Sequence, residues 1–444
     1  MSKLVLMLFL IMSMSVAANP AAHAQSAFSK NERRIIEWID QHSDEGLALL
    51  ENLVNINSGT MNPAGVKAAA DHLAGELSPL GFALNWAELP PAMQRAGHLY
   101  ANHEGTTGRK ILLIGHLDTV FEPGDAFQTY VRDGNRAVGP GVLDMKSGNV
   151  IIVQALKALF AVGALDTARI KIVFSGDEEA PGTPLATTRQ GLIEAGLWAD
   201  VALGFEHGIR DEAGDWATVS RRGYTAWCLE VTGEQAHSFL IFSEKHGAGA
   251  VFEATRILSE FYTTLHKEKY LTFNVGTLAG GTEASQACAS ENVSGTVFGK
   301  ANVIARKVVA RGEMRTVSEE QTSSTKAAMR AIVARHLPKT DATITFTEGY
   351  PAMAPTKGNM KLYQKLSDIN EALGEGKMHK LDPLRRGAAD ISFVAPHTDA
   401  LAGLGGYGAG AHSPQEQLDL TSLPLATKRA ALLLYRLINE TEGH

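Results

Sequence analysis

Cysteine is almost missing from this 444-residue chain: Cys228 and Cys288 are its only two. That excludes a cysteine-built metal cluster and a disulfide-dense scaffold. Their spacing does not form a metal-binding pair, and it leaves open whether the two would join in an exported chain. Basic blocks are missing too. The formal net charge is −7 and no extended Lys/Arg run occurs, so the footprint of a nucleic-acid-binding surface is absent. Beyond the N-terminus no apolar run approaches the length of a membrane span. G-x-S-x-G, G-x-x-x-x-G-K-[ST] and H-E-x-x-H do not occur. The glycine-rich "GLGGYGAGAH" lacks the strand-to-helix setting of a dinucleotide site. What is present is ordinary globular composition, 45% hydrophobic and 20% charged, at a length suited to two or three domains.

The first residues have the character of an export signal. Lys3 precedes an apolar run from Leu4 to about Ala18, and Ala22-His23-Ala24 is a small-x-small cleavage site. The expectation is removal of residues 1–24, a mature start at Gln25, and a periplasmic or secreted protein. An uncleaved anchor is the alternative, for which the apolar run is short.

Helical spacing is predicted from Asn31 to about Leu77, interrupted at Asn57-Ser58-Gly59. Strand-like "HLYANHE" and "KILLIGHLDTV" follow, then a turn-rich segment, a helix over "GNVIIVQALKALFAVGAL" and a strand at Ile170 to Phe174. Strand, helix and strand in that order predict an α/β layer with a largely parallel sheet. Ligand chemistry in such folds sits at the carboxyl ends of the strands. The character changes near residue 216. Two strand–helix–strand units between there and about residue 350 predict an inserted α+β domain of ferredoxin-like arrangement. The division expected is 25–216 and 351–444 for the main domain and 217–350 for the insert.

Acidic and histidine residues gather at strand ends. "LLIGHLDTV" puts His116 and Asp118 two apart, on one face if the strand continues. "GPGVLDMKSG" puts Asp144 before a helix, where an N-cap is the plainer role. "IKIVFSGDEEAPGT" delivers Glu178 and Glu179 side by side at a strand end, where two carboxylates repel. Glu206 in "VALGFEHG" and His412 in "GYGAGAHSPQE" complete a set of two imidazoles and three carboxylates with His116, Asp144 and Glu179. Such an N/O mixture suits two borderline cations sharing one carboxylate, and those cations would offset the repulsion.

These motifs, in their order and approximate spacing, resemble the zinc-dependent aminoacylase/carboxypeptidase family of co-catalytic metallopeptidases, of the glutamate carboxypeptidase kind. The resemblance covers nearly the whole mature chain. It implies a mixed-sheet catalytic domain with helices on both faces and an inserted ferredoxin-like dimerisation and lid domain. It implies two zinc ions per subunit, with cobalt or manganese as other choices. Asp144 would bridge them, His116 and Glu206 would complete one site, and Glu179 and His412 the other. Asp118 would orient His116. Glu178 would be the general base for the metal-bridging water. "VTGEQAHSF" assigns His237 to the oxyanion, commonly in the partner subunit's site, and "ANVIARKVVARGEMR" assigns Asn302 and Arg315 to substrate. The stretch from Thr282 to Gly299 departs from the family by its length, so Asn292 competes with Asn302. The Arg221-Arg222 pair is either a further anion contact or exposed.

The expected function is cleavage of an amide bond beside a free carboxylate, in a homodimer, without nucleic acid or a membrane. An aminoacylase or dipeptidase using the same site is the near alternative. A non-catalytic metal- or peptide-binding protein is the distant one, and such a protein has no need of a base like Glu178.

Overall fold

The computed structural model describes residues 28–286, 288 and 294–440; the expected signal sequence and Asn292 lie outside them. Three helices open the chain, α1 (Lys30–Gln41), α2 (Ser43–Val54) and α3 (Pro63–Leu77). Ser29 caps α1 in a capping box with Glu32. Then come β1 (Ala83–Ala87), β2 (His98–His103), β3 (Thr107–His116), α4 (Ser147–Ala161), β4 (Ala168–Ser175), α5 (Leu185–Trp198) and β5 (Val201–Gly204).

The chain then runs through β6 (Thr225–Gly233), α6 (Ala250–Leu265), β7 (Thr272–Gly281), β8 (Glu283–Gln286), β9 (Gly295–Phe298), β10 (Lys307–Arg315), α7 (Glu319–Val333) and β11 (Thr340–Glu348). It returns with α8 (Lys357–Ala372), β12 (Asp399–Leu401) and α9 (Ser422–Ile438).

The main sheet has the order β1-β2-β4-β3-β5-β12. β4, β3, β5 and β12 run parallel, whereas β2 is antiparallel to both β1 and β4. The sheet is therefore mixed, with β2, next to the edge strand β1, running against the others. Alternation along β3 divides the core. Ile111 and Leu113 join the cluster formed with α1 to α4 and α9, while Leu112 and Ile114 join the one formed with α5 and residues 391–394. Helices cover both faces for that reason.

The second sheet has the order β7-β10-β6-β11, all antiparallel. With the helices between its first and second and its third and fourth strands, this is the ferredoxin-like arrangement. Its core is its own. Trp227, Leu229 and Val231 of β6 face Ala254, Ile257 and Phe261 of α6 and Met329 of α7. Cys228, pointing to the other face, is disulfide-bonded to Cys288. That bond tethers the paired strands β8 and β9, which lie within the long Thr282 to Gly299 stretch.

Candidate metal centre and active site

β3, β4 and β5 end side by side, His116 opposite Ser175 in the register. Each strand end releases a candidate residue where parallel sheets place their chemistry. His116 is the last residue of β3, so Asp118 lies beyond the strand and is not carried to the same face by strand alternation. It arrives through the following loop instead. His116 Nδ1 meets the Asp118 carbonyl oxygen at 3.0 Å, while the nearer carboxylate oxygen stands 3.6 Å away. The Asp118 carboxylate has other partners: the Thr60 hydroxyl at 2.6 Å and the backbone N–H groups of Glu178 and Glu179 at 2.9 and 3.0 Å.

Asp144 precedes α4 but is not its N-cap; it lies in a tight turn, residues 142–146. The turn begins at Gly141, whose φ of +72° and a Thr119 methyl 2.5 Å from any added Cβ admit glycine alone. The backbone N–H groups of Gly141, Leu143 and Asp144 all donate to the Glu416 carboxylate, at 3.0, 2.9 and 2.9 Å. Glu416 is fully buried. It stands in the "GAHSPQE" motif four residues after His412, yet sequence reasoning gave it no role.

His116, Asp144 and Glu179 offer ligand atoms that all lie within 4.8 Å of one another. His116 Nε2 is 3.3 Å from Asp144 Oδ1, and His412 Nε2 is 3.3 Å from Asp144 Oδ2 and 3.1 Å from Glu179 Oε2. Asp144 thus stands between the two imidazoles. Glu179 Oε1 is buried without a hydrogen-bond partner among the described residues, which suits an oxygen reserved for a cation. The donor set is chemically fit for zinc-like ions. Glu206 is the exception to the cluster. Its carboxylate is turned to Arg221, a buried residue and not the exposed one that sequence allowed.

The electrostatics follow the geometry. Hydrogen bonds to Asp144 and Glu179 raise His412 to about 10. Burial opposes the charge on His116, but the nearby carboxylates of Asp118 and Asp144 raise it well above the usual imidazole value. Burial likewise works against an ionised Asp144, and the two histidines hold it well below the usual carboxylate range. Glu178 is raised well above its ordinary value by burial, with Asp390, Glu206 and Glu179 adding repulsion that His116 only partly opposes. The next residue after Glu206 is also engaged: burial, then the Arg386 charge, lowers His207 to about 4, and Arg386 donates to its Nε2 at 2.9 Å.

The residues expected to bind substrate lie in the insert. His237 is exposed and bridges to Val303, next to Asn302, whose carbonyl accepts from Ser238 N at 2.9 Å. Arg315 forms a two-point pair with Glu313 at 3.0 and 3.2 Å. It also approaches the main body, since a Cβ added to Gly387 would be 3.5 Å from its Nη1.

The family model described as Peptidase family M20/M25/M40 matches residues 112–436. The chain belongs to that family. It is an M20 metallopeptidase, a hydrolase of amide bonds. Carboxypeptidase G2 of Pseudomonas sp. (strain RS-16) is 28% identical over 395 residues, covering 87% of each chain. Succinyl-diaminopimelate desuccinylase of Gluconobacter oxydans (strain 621H) is 25% identical over 390 residues, covering 86% of this chain and 94% of its own. The Bacillus subtilis YXEP protein, described as a dinuclear metal binding peptidase from the M20 family, superposes with a TM-score of 0.61 at 14% identity, covering 90% and 99% of the two chains. M20 membership thus accounts for the mixed α/β fold and for the histidine–carboxylate cluster at its strand ends.

Proposed function

We propose that this M20 enzyme is an exopeptidase of the glutamate carboxypeptidase type, cleaving an amide bond beside a free carboxylate. The observation that carries the reading is the placement of Glu178. Its backbone is fixed by Asp118 beside the ligand Glu179, leaving one carboxylate for metal and the next for proton transfer. His116, Asp144 and Glu206 would hold one zinc ion, and Asp144, Glu179 and His412 the other, with cobalt or manganese as alternatives. Holding the first ion requires Glu206 to turn from Arg221. Bound there, two such ions would supply polarisation of a carbonyl and a more acidic water. Glu178 takes the proton of the attacking water and passes it to the leaving amine. Arg315 receives the substrate carboxylate, Asn302 helps to bind the substrate, and His237 serves the oxyanion across a homodimer of the 217–350 domain. Similarity to carboxypeptidase G2 supports the carboxypeptidase reading.

Export, with removal of residues 1–24, is part of the proposal; the Cys228–Cys288 disulfide supports it, because such bonds persist in oxidising compartments. A second reading, hydrolysis of N-acyl amino acids or dipeptides, is favoured by the similarity to a desuccinylase. Glu178→Gln tests the mechanism: both metals stay bound and turnover falls at least about 10²-fold. Full activity would refute it. A panel of peptidyl and N-acyl glutamates, other N-acyl amino acids and dipeptides separates the two substrate readings.

A further inference from the structure

The chain passes between the main body and the insert twice, at residues 220–225 and 348–353, and the two crossings pair with each other. Arg221 and Met353 exchange both backbone hydrogen bonds at 3.0 Å. Tyr224 N–H reaches the Tyr350 carbonyl at 2.8 Å, and Gly349 N–H the Tyr224 carbonyl at 3.2 Å. Each crossing carries a glycine where the other strand comes closest. A Cβ on Gly223 would lie 2.8 Å from the Ala352 nitrogen, and one on Gly349 2.2 Å from the Tyr224 ring.

On the main-body side the second crossing is pinned. Met353 is fully buried, and the Tyr350 ring packs on Phe393 with centroids 4.8 Å apart. The Tyr350 hydroxyl donates to the carbonyl oxygen of Glu178 at 3.0 Å and accepts from Arg189 Nη2 at 3.0 Å. Arg189 is wholly buried and grips Asp177, the residue before Glu178, at its carboxylate (2.5 Å) and its carbonyl (3.0 Å). It also pairs with Asp390 at 2.7 Å. A hinge strand is thereby bonded straight to the backbone of the candidate base. Because the insert has its own core, movement between the two parts is the default for such a construction.

We propose that Tyr350 is a positioning residue that couples the setting of the insert, through the Gly223–Gly349 hinge, to the position of Glu178. The inference rests on Glu178 being the base. Tyr350→Phe deletes the hydroxyl and keeps the ring. In the metal-loaded enzyme, kcat should fall about tenfold with KM within about twofold, as for one lost hydrogen bond. Amide exchange over residues 176–180 should quicken by about tenfold, with residues 168–175 of β4 unchanged. Gly349→Ala crowds Tyr224 from the insert side; it should slow the wild type but add less than about twofold to Tyr350→Phe.

Unchanged kcat and exchange in Tyr350→Phe would overturn the proposal. So would faster exchange shared equally by residues 168–175, which marks a merely structural hydroxyl, and so would additive effects of the two substitutions. Full activity of Glu178→Gln removes the base itself, and the coupling with it, whatever Tyr350→Phe does.

Discussion

Asp118 organises more of the site than the histidine it neighbours. Its carbonyl sets the His116 ring while its carboxylate binds the N–H groups of both adjacent glutamates. Glu416 does the same for Asp144, by three hydrogen bonds to the turn that presents it. Glu416→Ala should therefore weaken metal binding by about 10- to 100-fold, the usual scale for groups that hold ligands in place; competition with a chelator measures it. Protons are linked to the same event. With His412 at about 10, that ring is protonated at pH 7 in the metal-free protein, and hydrogen bonding to Asp144 raises His116 as well. Loading the metals should displace the His412 proton, so calorimetry in buffers of different ionisation enthalpy gives different heats. The sign for stability follows. His412 has a raised folded value, so its contribution is complete below 6.5 and is lost as pH rises towards about 10. The metal-free protein should lose melting temperature across that window.

The clustering of His116, Asp144, Glu179 and His412 was legible in the sequence, because histidines and carboxylates gather at its strand ends and glycine-flanked turns, whereas the turning of Glu206 to Arg221 was not. Glu416, Thr60 and Tyr350 were not legible, since their roles depend on backbone groups brought near only by folding.

At the scale of elements, three parallel strands and their loops do the assembling. The hydrophobic periods of β3, β4 and α4 read correctly, because burial on both sides of a sheet leaves long apolar runs. The Thr282 to Gly299 stretch was opaque, as polar residues there give no period. Within it lie the paired strands β8 and β9, tied to the middle of the second sheet by the Cys228–Cys288 bond. That bond closes a loop with a sequence separation of 60, worth up to about 4 kcal/mol by chain entropy. Cys288→Ser should lower the unfolding free energy of the insert by that order, read as a shift of its denaturant midpoint at unchanged slope, and reductant should do the same to the wild type. Kinetics of the metal centre should change far less, since the disulfide lies in the second sheet.

For the whole molecule, the insert presents an unusual surface. Phe239, Phe242, Phe252, Leu278 and Phe298 are all more than half exposed, on or near the edge strand β7 and helix α6. Apolar area of this kind marks an interaction face, in keeping with the proposed homodimer. Light scattering should give twice the chain mass, and Leu278→Glu should yield monomers. If His237 acts across the pair, those monomers are inactive; active monomers would confine the chemistry to one chain.

The order of synthesis gives the discontinuous body a further meaning. β12 pairs with β5, α9 packs on α4, and His412 belongs to this last-made segment. Folding that follows the emerging chain can finish the insert early, yet the histidine shared by Asp144 and Glu179 arrives only near the end of translation. A prematurely terminated chain would carry His116, Asp144 and both glutamates without His412. On the proposed ligand set every such incomplete product would lack one metal ligand, and hydrolysis would wait for the last segment to dock.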